Sequence, residues 1–171
     1  MSILKILQYP DNGLRRIGIE VTDTNDKVIQ KLIDDLFETT VHLGSCAGLA
    51  ATQMDVENAP RLFVMNRPEE EGGQLCFINP EILEMEGSEI GSEGCMSIYP
   101  DQIVVQLSRA TKVKVRALDR QGKSFTMDFT DFWARNVQHE VDHLNGVLFL
   151  DRLSSLKRER TLKKIERILR Q

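Results

Sequence analysis

The sequence predicts an α+β fold in a single domain, residues 1–171, with antiparallel or mixed β-sheets wrapped around a central metal-binding helix. Three observations lead to this prediction. The length of 171 residues is that of one domain. The apolar spacing changes along the chain from helical to alternating and back to helical, which favours segregated helices and strands. A His-Glu-x-x-His segment at residues 139–143 lies in the second helical region, and a C-terminal helix follows it.

Composition and charge exclude several classes of protein. Apolar residues make up 41% of the chain and charged residues 28%, a balance that disordered, collagen-like and membrane-spanning chains do not show. The 22 basic and 26 acidic residues give a net charge of −4, which argues against sequence-specific binding of nucleic acid. Cys46, Cys76 and Cys95 form an odd, sparse set, and no secretory leader or long apolar run is evident. We therefore expect a cytoplasmic protein without membrane contact.

The first half of the chain is predicted to contain one helix and two buried strands. Residues 26–43 carry apolar side chains at helical spacing, and Gly44 is placed to end this helix. Short apolar runs at 62–65 and 75–78 are bounded by Pro, Gly and Asn, as buried strands often are. The acidic and glycine-containing residues 69–73 between these runs are expected to form an exposed loop.

Three alternating segments follow, and two of them predict a β-hairpin. Apolar and polar residues alternate at 103–107, 113–117 and 125–129, which is the period of a half-buried strand. The sequence Asp-Arg-Gln-Gly at 119–122 separates the last two segments and is typical of a tight turn. We therefore expect these two segments to pair.

A second helix is predicted after the hairpin, over about residues 132–145. Asp131 is placed to cap its beginning, and Gly146 is placed to end it. The helix has an apolar stripe and a separate polar side, so we expect the sheets to bury it.

A third helix is predicted to run to the C-terminus, capped by Ser154 or Ser155. Seven Lys or Arg residues lie along it, and we interpret them as a solvated helix face. Its apolar side is expected to consist of Leu156, Leu162, Ile165 and Leu169.

The strongest chemical signal is the His-Glu-x-x-His segment in the second helix. Positions i and i+4 of a helix lie above one another, so His139 and His143 can bind one divalent metal ion. Glu140 then points toward a water on that ion. An exposed pair of histidines without a metal is the alternative.

A catalytic site of this kind needs a third protein ligand and one open position. Downstream, Phe149 stands where a longer zinc-protease pattern has its third His, and a phenyl ring cannot ligate. Glu159 and Glu166 lie in the basic C-terminal helix and are expected to be solvated. Upstream, the thiolate of Cys95 in the segment 93–97 could complete a Cys-His-His set. On spacing alone, a cysteine that is merely buried remains the alternative.

Three segments together resemble the peptide deformylase family. The first family motif, Gly-x-Gly-Leu-Ala-Ala-x-Gln, is similar to residues 46–53. The second, Glu-Gly-Cys-hydrophobic-Ser, is similar to residues 93–97, and the third, Gln-His-Glu-x-Asp-His-Leu-x-Gly, is matched in full by residues 138–146. The motifs occur in family order, and the resemblance extends across nearly the whole chain.

The resemblance implies an enzyme that hydrolyses the N-formyl group of formyl-methionine at the start of newly synthesised polypeptides and releases formate. It implies one divalent metal held by Cys95, His139 and His143, with Fe(II) favoured in the cell. Zn(II), Ni(II) and Co(II) are also compatible with a thiolate and two imidazoles. The expected partners are N-formyl-methionyl nascent polypeptides, together with a ribosome contact through the C-terminal helix.

The resemblance also implies roles for residues around the metal. Glu140 acts as general base toward the metal-bound water and then as general acid. The side-chain amide of Gln53 and the backbone N–H of Met96 bind the developing oxyanion. Gly48 and Gly94 let the substrate backbone approach closely.

A methionine pocket and two departures from the family pattern complete the expected site. Ala47, Met96 and Phe132 are the expected walls of the pocket. Cys46 replaces the first glycine of the first motif, and we expect it to change substrate preference without abolishing the chemistry. Tyr99 precedes a proline that normally follows the second motif directly, which predicts a longer loop beside the metal.

Two other functions explain part of the pattern. A zinc peptidase that cleaves internal bonds would share His139, Glu140 and His143, but it leaves the first two motifs unexplained. A non-catalytic protein could bind nascent chains or ribosomes through its basic helix. The presence of both Glu140 and Gln53 argues against such a protein.

Overall fold

The computed structural model describes residues 2–170, which form three α-helices and two β-sheets, so the predicted α+β class is confirmed. The helices are α1 (Lys27–Leu43), α2 (Asp131–Leu144) and α3 (Ser155–Leu169). The strands are β1 (Gly48–Ala50), β2 (Leu62–Asn66), β3 (Gln74–Glu86), β4 (Glu89–Glu93), β5 (Val105–Arg109), β6 (Lys112–Leu118) and β7 (Ser124–Thr130).

The larger sheet has five strands in the order β1-β2-β3-β6-β7, and β4 and β5 form a separate two-stranded sheet. Each of these neighbouring strand pairs is antiparallel, which decides between the antiparallel and mixed alternatives. The predicted hairpin is confirmed because β6 pairs with β7, with Val115 opposite Met127. The segment 69–73 is a loop with a short 3-10 turn, and most of it is exposed.

Strand β2 of the five-stranded sheet is buried on both faces, which explains why it is continuously apolar. Leu62 and Val64 belong to the core cluster that contains the apolar side of α1. Phe63 and Met65 belong to the opposite cluster, which contains the apolar side of α2. Successive side chains of a strand point to opposite faces. The two helices therefore cover opposite sides of this sheet.

Helix α2 is the buried central helix that the sequence predicts. Its apolar stripe packs on the sheet and consists of Ala134, Val137, Val141 and Leu144. His139, Glu140 and His143 are buried on another side of the helix. The helix ends as predicted, because Gly146 adopts a φ of 69° just beyond the last turn.

The predicted cap of α2 is wrong. Asp131 is the first residue of the helix, and the cap position belongs to Thr130, whose side chain makes no capping hydrogen bond. The reason lies in the preceding strand, since β7 continues to Thr130 and the N–H of Asp131 donates to the carbonyl of Thr111 at 2.8 Å. The chain turns directly from strand into helix at Asp131, with a φ of 51°.

Helix α3 is capped by Ser154, one of the two predicted residues. Its apolar side differs from the prediction, because Leu156 and Leu169 are 57% and 54% exposed. Only the middle of the helix reaches the third core cluster, through buried Ile165 and partly buried Leu162 and Ile168. The six basic residues of this helix, and Arg170 directly after it, are all exposed.

Two strands were not predicted, and one is longer than predicted. Strand β1 has only three residues, too few to establish a period. Strand β4 contains Gly91 and two glutamates, and its alternation is weak. Strand β3 extends eight residues beyond Ile78, to Glu86, because its second half is an exposed ribbon paired with β6.

Within residues 2–170, none of the helices combines the length and the hydropathy that crossing a membrane requires.

Replacing either of two glycines would strain a left-handed backbone, but only one replacement would also cause a steric clash. Gly44 and Gly146 have φ values of 70° and 69°. A Cβ on Gly44 would meet nothing within 4 Å, whereas one on Gly146 would lie 2.5 Å from the carbonyl oxygen of Arg15. Gly44→Ala should therefore lower the free energy of unfolding by about 1 kcal/mol, and Gly146→Ala by at least about 2 kcal/mol more.

Urea unfolding of both variants at equal metal loading measures this difference. If both variants lost the same free energy of unfolding, the packing described for the end of α2 would be contradicted.

Candidate metal centre

Three candidate ligands meet between α2 and the turn that follows β4. Cys95 lies in that turn, and His139 and His143 lie one helical turn apart. The Sγ atom of Cys95 is 3.3 Å from Nε2 of His143, which is 3.1 Å from Nε2 of His139. The three ligand atoms all lie within 4.8 Å of one another, and all three residues are buried.

This donor set fits a divalent metal. A tetrahedral site with bonds of about 2.0–2.3 Å to nitrogen and sulfur brings its ligand atoms within about 4 Å of one another, and the observed spacing is of this size. Three protein ligands leave one position open. Thiolate and imidazole are also the ligands that Zn(II) and Fe(II) accept. The donors and their spacing therefore favour a catalytic type of metal site.

A buried carboxylate orients the first histidine. Nδ1–H of His139 donates to Oε1 of Glu93 at 2.6 Å, which leaves Nε2 free to face Cys95 and His143. Burial raises the pKa of Glu93, but hydrogen bonds from His139 and Arg109 outweigh it and hold the pKa at about 2. Glu93 is therefore ionised at neutral pH.

The guanidinium of Arg109 joins two buried carboxylates. It donates to Glu93 through Nε and Nη2, at 3.1 and 2.7 Å, and to Asp142 through Nη1, at 2.6 Å. Arg152 donates to Asp142 from the outer side, at 3.0 and 2.6 Å. The metal-binding helix is thus tied to β4 and β5 by charged hydrogen bonds.

The two imidazoles have different protonation preferences. Burial lowers the pKa of His139, but its contacts with Cys95 and Glu93 outweigh burial and keep the pKa well above its usual value. Burial and the neighbouring His139 lower the pKa of His143 well below its usual value. The pair thus favours one charged and one neutral ring, and a metal cation in the same place would replace the proton on His139.

Glu140 is buried beside these ligands, with only 2% of its surface exposed. Its Oε2 atom has no hydrogen-bond partner among residues 2–170. Burial raises the pKa of Glu140 to about 7. A carboxyl group with this pKa can accept and return a proton at neutral pH.

Gln53 is held with its amide nitrogen toward the ligands. The backbone N–H of Ala50 donates to Oε1 of Gln53 at 2.9 Å. Nε2 of Gln53 donates to Oγ of Ser97 at 3.0 Å and to Sγ of Cys95 at 3.8 Å. The nitrogen therefore lies next to the metal ligands, and the amide cannot turn without losing these bonds.

A cavity of about 270 Å³ opens beside the centre. The remaining sequence-predicted residues all line it, and they are Ala47, Gly48, Gly94, Met96 and Phe132. Gln53, Cys95, His139 and Glu140 also line it, whereas His143 lies behind them. The structure thus brings the predicted site residues together around one opening.

The two glycines of the site have different surroundings. A Cβ on Gly48 would lie 2.9 Å from Oδ1 of Asn136 and 3.0 Å from Oε1 of Glu140. A Cβ on Gly94 would meet only the carbonyl oxygen of Ile103, at 4.0 Å. A side chain at position 48 would clash with residues of α2, so this position requires glycine. A side chain at position 94 would clash with nothing in the protein, so Gly94 leaves space in the cavity.

The loop after the second motif is fixed by Tyr99. This residue has a φ of 44°, and its hydroxyl donates to the carbonyl of Tyr9 at 2.9 Å. The loop that begins beside the metal ligands is therefore tied to the N-terminal segment.

Sequence reasoning missed several residues that support the site. Arg109, Asp142 and Asn136 were given no role, and Glu93 was noted only as part of a motif. Arg109 carried a signal, because it continues the inward-facing positions of Val105 and Leu107 in β5, and a buried charge needs a partner. Its pairing with Asp142 could not be read from the sequence.

The fold and this site define a metal-dependent hydrolase of the His-Glu-x-x-His type with a cysteine as third ligand. The chain belongs to the polypeptide deformylase family, whose sequence model matches residues 3–159. Peptide deformylase 1 of Coxiella burnetii is 44% identical to it over 169 residues, covering 99% of this chain and 98% of that protein.

Solved structures agree with this assignment. A peptide deformylase from Legionella pneumophila has a TM-score of 0.88 at 39% identity, covering 98% of this chain and 96% of that one. A peptide deformylase from Ehrlichia chaffeensis, solved in complex with actinonin, has a TM-score of 0.87 at 38% identity, with both chains fully covered. The family is metal-dependent, and the recognition of the chain from its three motifs is confirmed.

Removal of the thiol tests the metal centre. Cys95→Ala should lower the bound metal at least about tenfold, because a three-ligand site loses its only sulfur donor. Cys76→Ala is the matched control, since Cys76 is equally buried but lies in β3, away from the ligands. Metal content after gel filtration, determined by mass spectrometry, measures both. Full retention of metal by Cys95→Ala would remove Cys95 from the ligand set.

Proposed function

We propose that residues 1–171 form a single catalytic domain that removes the N-formyl group from formyl-methionine at the start of newly synthesised polypeptides in the cytoplasm. The products are formate and a free N-terminal methionine. The observation that carries the proposal is the buried, unpartnered carboxylate oxygen of Glu140 beside the Cys-His-His donor set. The deformylases of Coxiella, Legionella and Ehrlichia, which cover almost the whole chain, support it.

Cys95, His139 and His143 would hold one divalent metal. Fe(II) is our choice for the ion in the cell, and Zn(II), Ni(II) and Co(II) suit the same ligands. When bound, the ion acts as a Lewis acid toward the formyl oxygen and lowers the pKa of a water. Glu93 supports it by fixing the orientation of the His139 ring.

Glu140 moves the proton. Its carboxylate takes a proton from the attacking water and returns it to the amide nitrogen as the C–N bond breaks. Burial raises the pKa of Glu140 above the usual carboxyl value, which favours return of the proton to the leaving nitrogen. Glu140 also lies next to Gly48, at the edge of β1 where a peptide chain can pair.

Two donors would bind the negative charge that develops on the formyl oxygen. One is Nε2 of Gln53, which already lies beside Cys95. The other is the backbone N–H of Met96, which donates to no acceptor among residues 2–170. Removing one such donor typically costs about 3 kcal/mol of transition-state stabilisation.

The narrow cavity favours a formyl group and a methionine side chain. A formyl carbon carries only hydrogen, so it needs less space beside Glu140 than the larger acetyl group would. Ala47, Met96 and Phe132 line the cavity and would form apolar walls for the methionine side chain. Phe132 is 58% exposed, so a bound side chain would cover part of it.

Replacement of the base tests the proposed reaction. Wild-type protein purified anaerobically with Fe(II) should release formate from formyl-Met-Ala-Ser and leave Met-Ala-Ser intact. Glu140→Gln should slow this release by about 100-fold to 10,000-fold while it keeps its metal. The exposed Glu159→Gln is the control and should match the wild type.

An unformylated tripeptide shows whether internal bonds are cut. Internal cleavage, or no formate from a metal-loaded wild type, would contradict the proposed function.

The two site glycines provide a second test. Gly48→Ala should lower kcat/KM about 100-fold, because the new methyl group displaces Glu140 from its position. Gly94→Ala should leave kcat nearly unchanged and raise KM, because its methyl group meets only the substrate backbone. Steady-state formate release measures both constants. An unchanged KM in Gly94→Ala would remove the role proposed for Gly94.

We also propose that α3 contacts the ribosome. Its six basic side chains and that of Arg170 directly after it are exposed, while Ile165 anchors the helix to the core. Arg160→Glu with Arg167→Glu should reduce co-sedimentation with ribosomes without unfolding the helix. Lys27→Glu with Lys123→Glu makes the same change in net charge elsewhere on the surface. Equal co-sedimentation of both double variants would dismiss the contact.

A further inference from the structure

Cys46 lies in the cavity but has no part in the chemistry proposed above. Its side chain is 4% exposed and lines the same opening as Glu140. The unpartnered Oε2 atom of Glu140 indicates that this opening is built to receive a ligand. The thiol of Cys46 therefore lies in a ligand-receiving opening, at the position where the family motif has glycine.

Strand β1 presents a free edge to this cavity. It is the outermost strand of its sheet and pairs only with β2 among the described strands. The N–H of Asn66 on β2 donates to the carbonyl of Ala47 at 2.8 Å. Because hydrogen-bonding direction alternates along an antiparallel strand, the N–H and carbonyl of Gly48 point away from β2. Ala50, two residues on, confirms the alternation, since its N–H donates to Gln53 instead of β2.

The thiol of Cys46 occupies the acceptor on that edge. Its Sγ atom donates to the carbonyl oxygen of Gly48 at 3.2 Å. Burial raises the pKa of Cys46 to about 12, so the sulfur carries its proton and acts as a donor at neutral pH. The carbonyl of Gly48 is thereby already partnered before any peptide arrives.

We propose that Cys46 lowers the affinity for the peptide, because its thiol competes with the peptide backbone for the carbonyl of Gly48. This inference rests on the proposed function, because it concerns how the formylated peptide is held. A peptide that binds along a free strand edge uses the N–H and carbonyl groups of that edge. With Cys46 in place, a substrate N–H must displace the thiol or share the carbonyl with it, which weakens binding of extended peptides.

Three variants separate the hydrogen bond from the size of the side chain. Cys46→Ala removes the donor, and Cys46→Ser keeps a donor that is stronger than a thiol. Cys76→Ala is the matched control, because Cys76 is buried in the same core cluster as Cys46 but does not line this cavity. Thermal unfolding of all three variants shows that each is folded under the assay conditions.

Formate release from formyl-Met-Ala-Ser gives the decisive constants. Cys46→Ala should lower KM about twofold to fivefold, as expected for loss of one weak competing hydrogen bond, with a smaller change in kcat. Cys46→Ser should have a KM equal to or above that of the wild type. Cys76→Ala should have wild-type constants.

The inference is overturned if KM of Cys46→Ala equals or exceeds that of the wild type. It is also overturned if Cys46→Ser lowers KM as much as Cys46→Ala, because side-chain size would then explain both. Failure of the proposed function is distinguishable, since it would appear as absence of formate with the wild type itself.

Discussion

The metal centre depends on one buried guanidinium. Arg109 is 6% exposed and bonds the carboxylates of Glu93 and Asp142, which belong to β4 and α2. Without that cation, two carboxylates would be buried close together, which is strongly unfavourable. Hydrogen bonds from His139 and Arg109 keep Glu93 ionised, and Glu93 in turn fixes the ring of His139 so that Nε2 faces the other ligands. The same bonds attach the small sheet to α2, and the turn that carries Cys95 begins where that sheet ends.

A second constraint fixes where the proposed catalytic groups lie relative to the large sheet. Strand β1 lies at the edge of that sheet, and Gly48 faces α2 without a side chain. Glu140 can therefore approach the strand backbone closely, and the carboxylate lies next to the edge along which we propose a peptide binds. Gln53, in the turn directly after β1, is held by Ala50 of the same strand. One short strand thus positions the proposed base and the proposed oxyanion donor, and it offers the edge along which we propose the peptide binds.

Much of the fold could be predicted from local sequence. The apolar spacing and the terminal Gly44 define α1, and β2 is recognisable because both its faces are apolar. Helix α2 was located correctly, but its beginning was not, since the N–H of Asp131 donates to the carbonyl of Thr111, in the connection between β5 and β6. Strand β1 was missed because three residues show no period.

The site was predictable where its residues are close in sequence or lie in a family motif. His139 and His143 are four residues apart on one helix, so spacing alone identified them. Cys95 remained ambiguous on spacing and was assigned only through the resemblance. The ion pairs of Arg109 join residues 16 and 33 positions away, and only the folded chain brings these together.

Identifying the atoms bound to the metal is the most direct test of the Cys-His-His centre. X-ray absorption at the metal edge of the Zn(II)-loaded protein should show one sulfur at about 2.3 Å and nitrogen or oxygen neighbours at about 2.0–2.1 Å. Such a spectrum is what the arrangement of Cys95, His139 and His143 predicts. A first shell without sulfur would contradict the Cys-His-His centre, and with it the place assigned to Glu93 and Arg109.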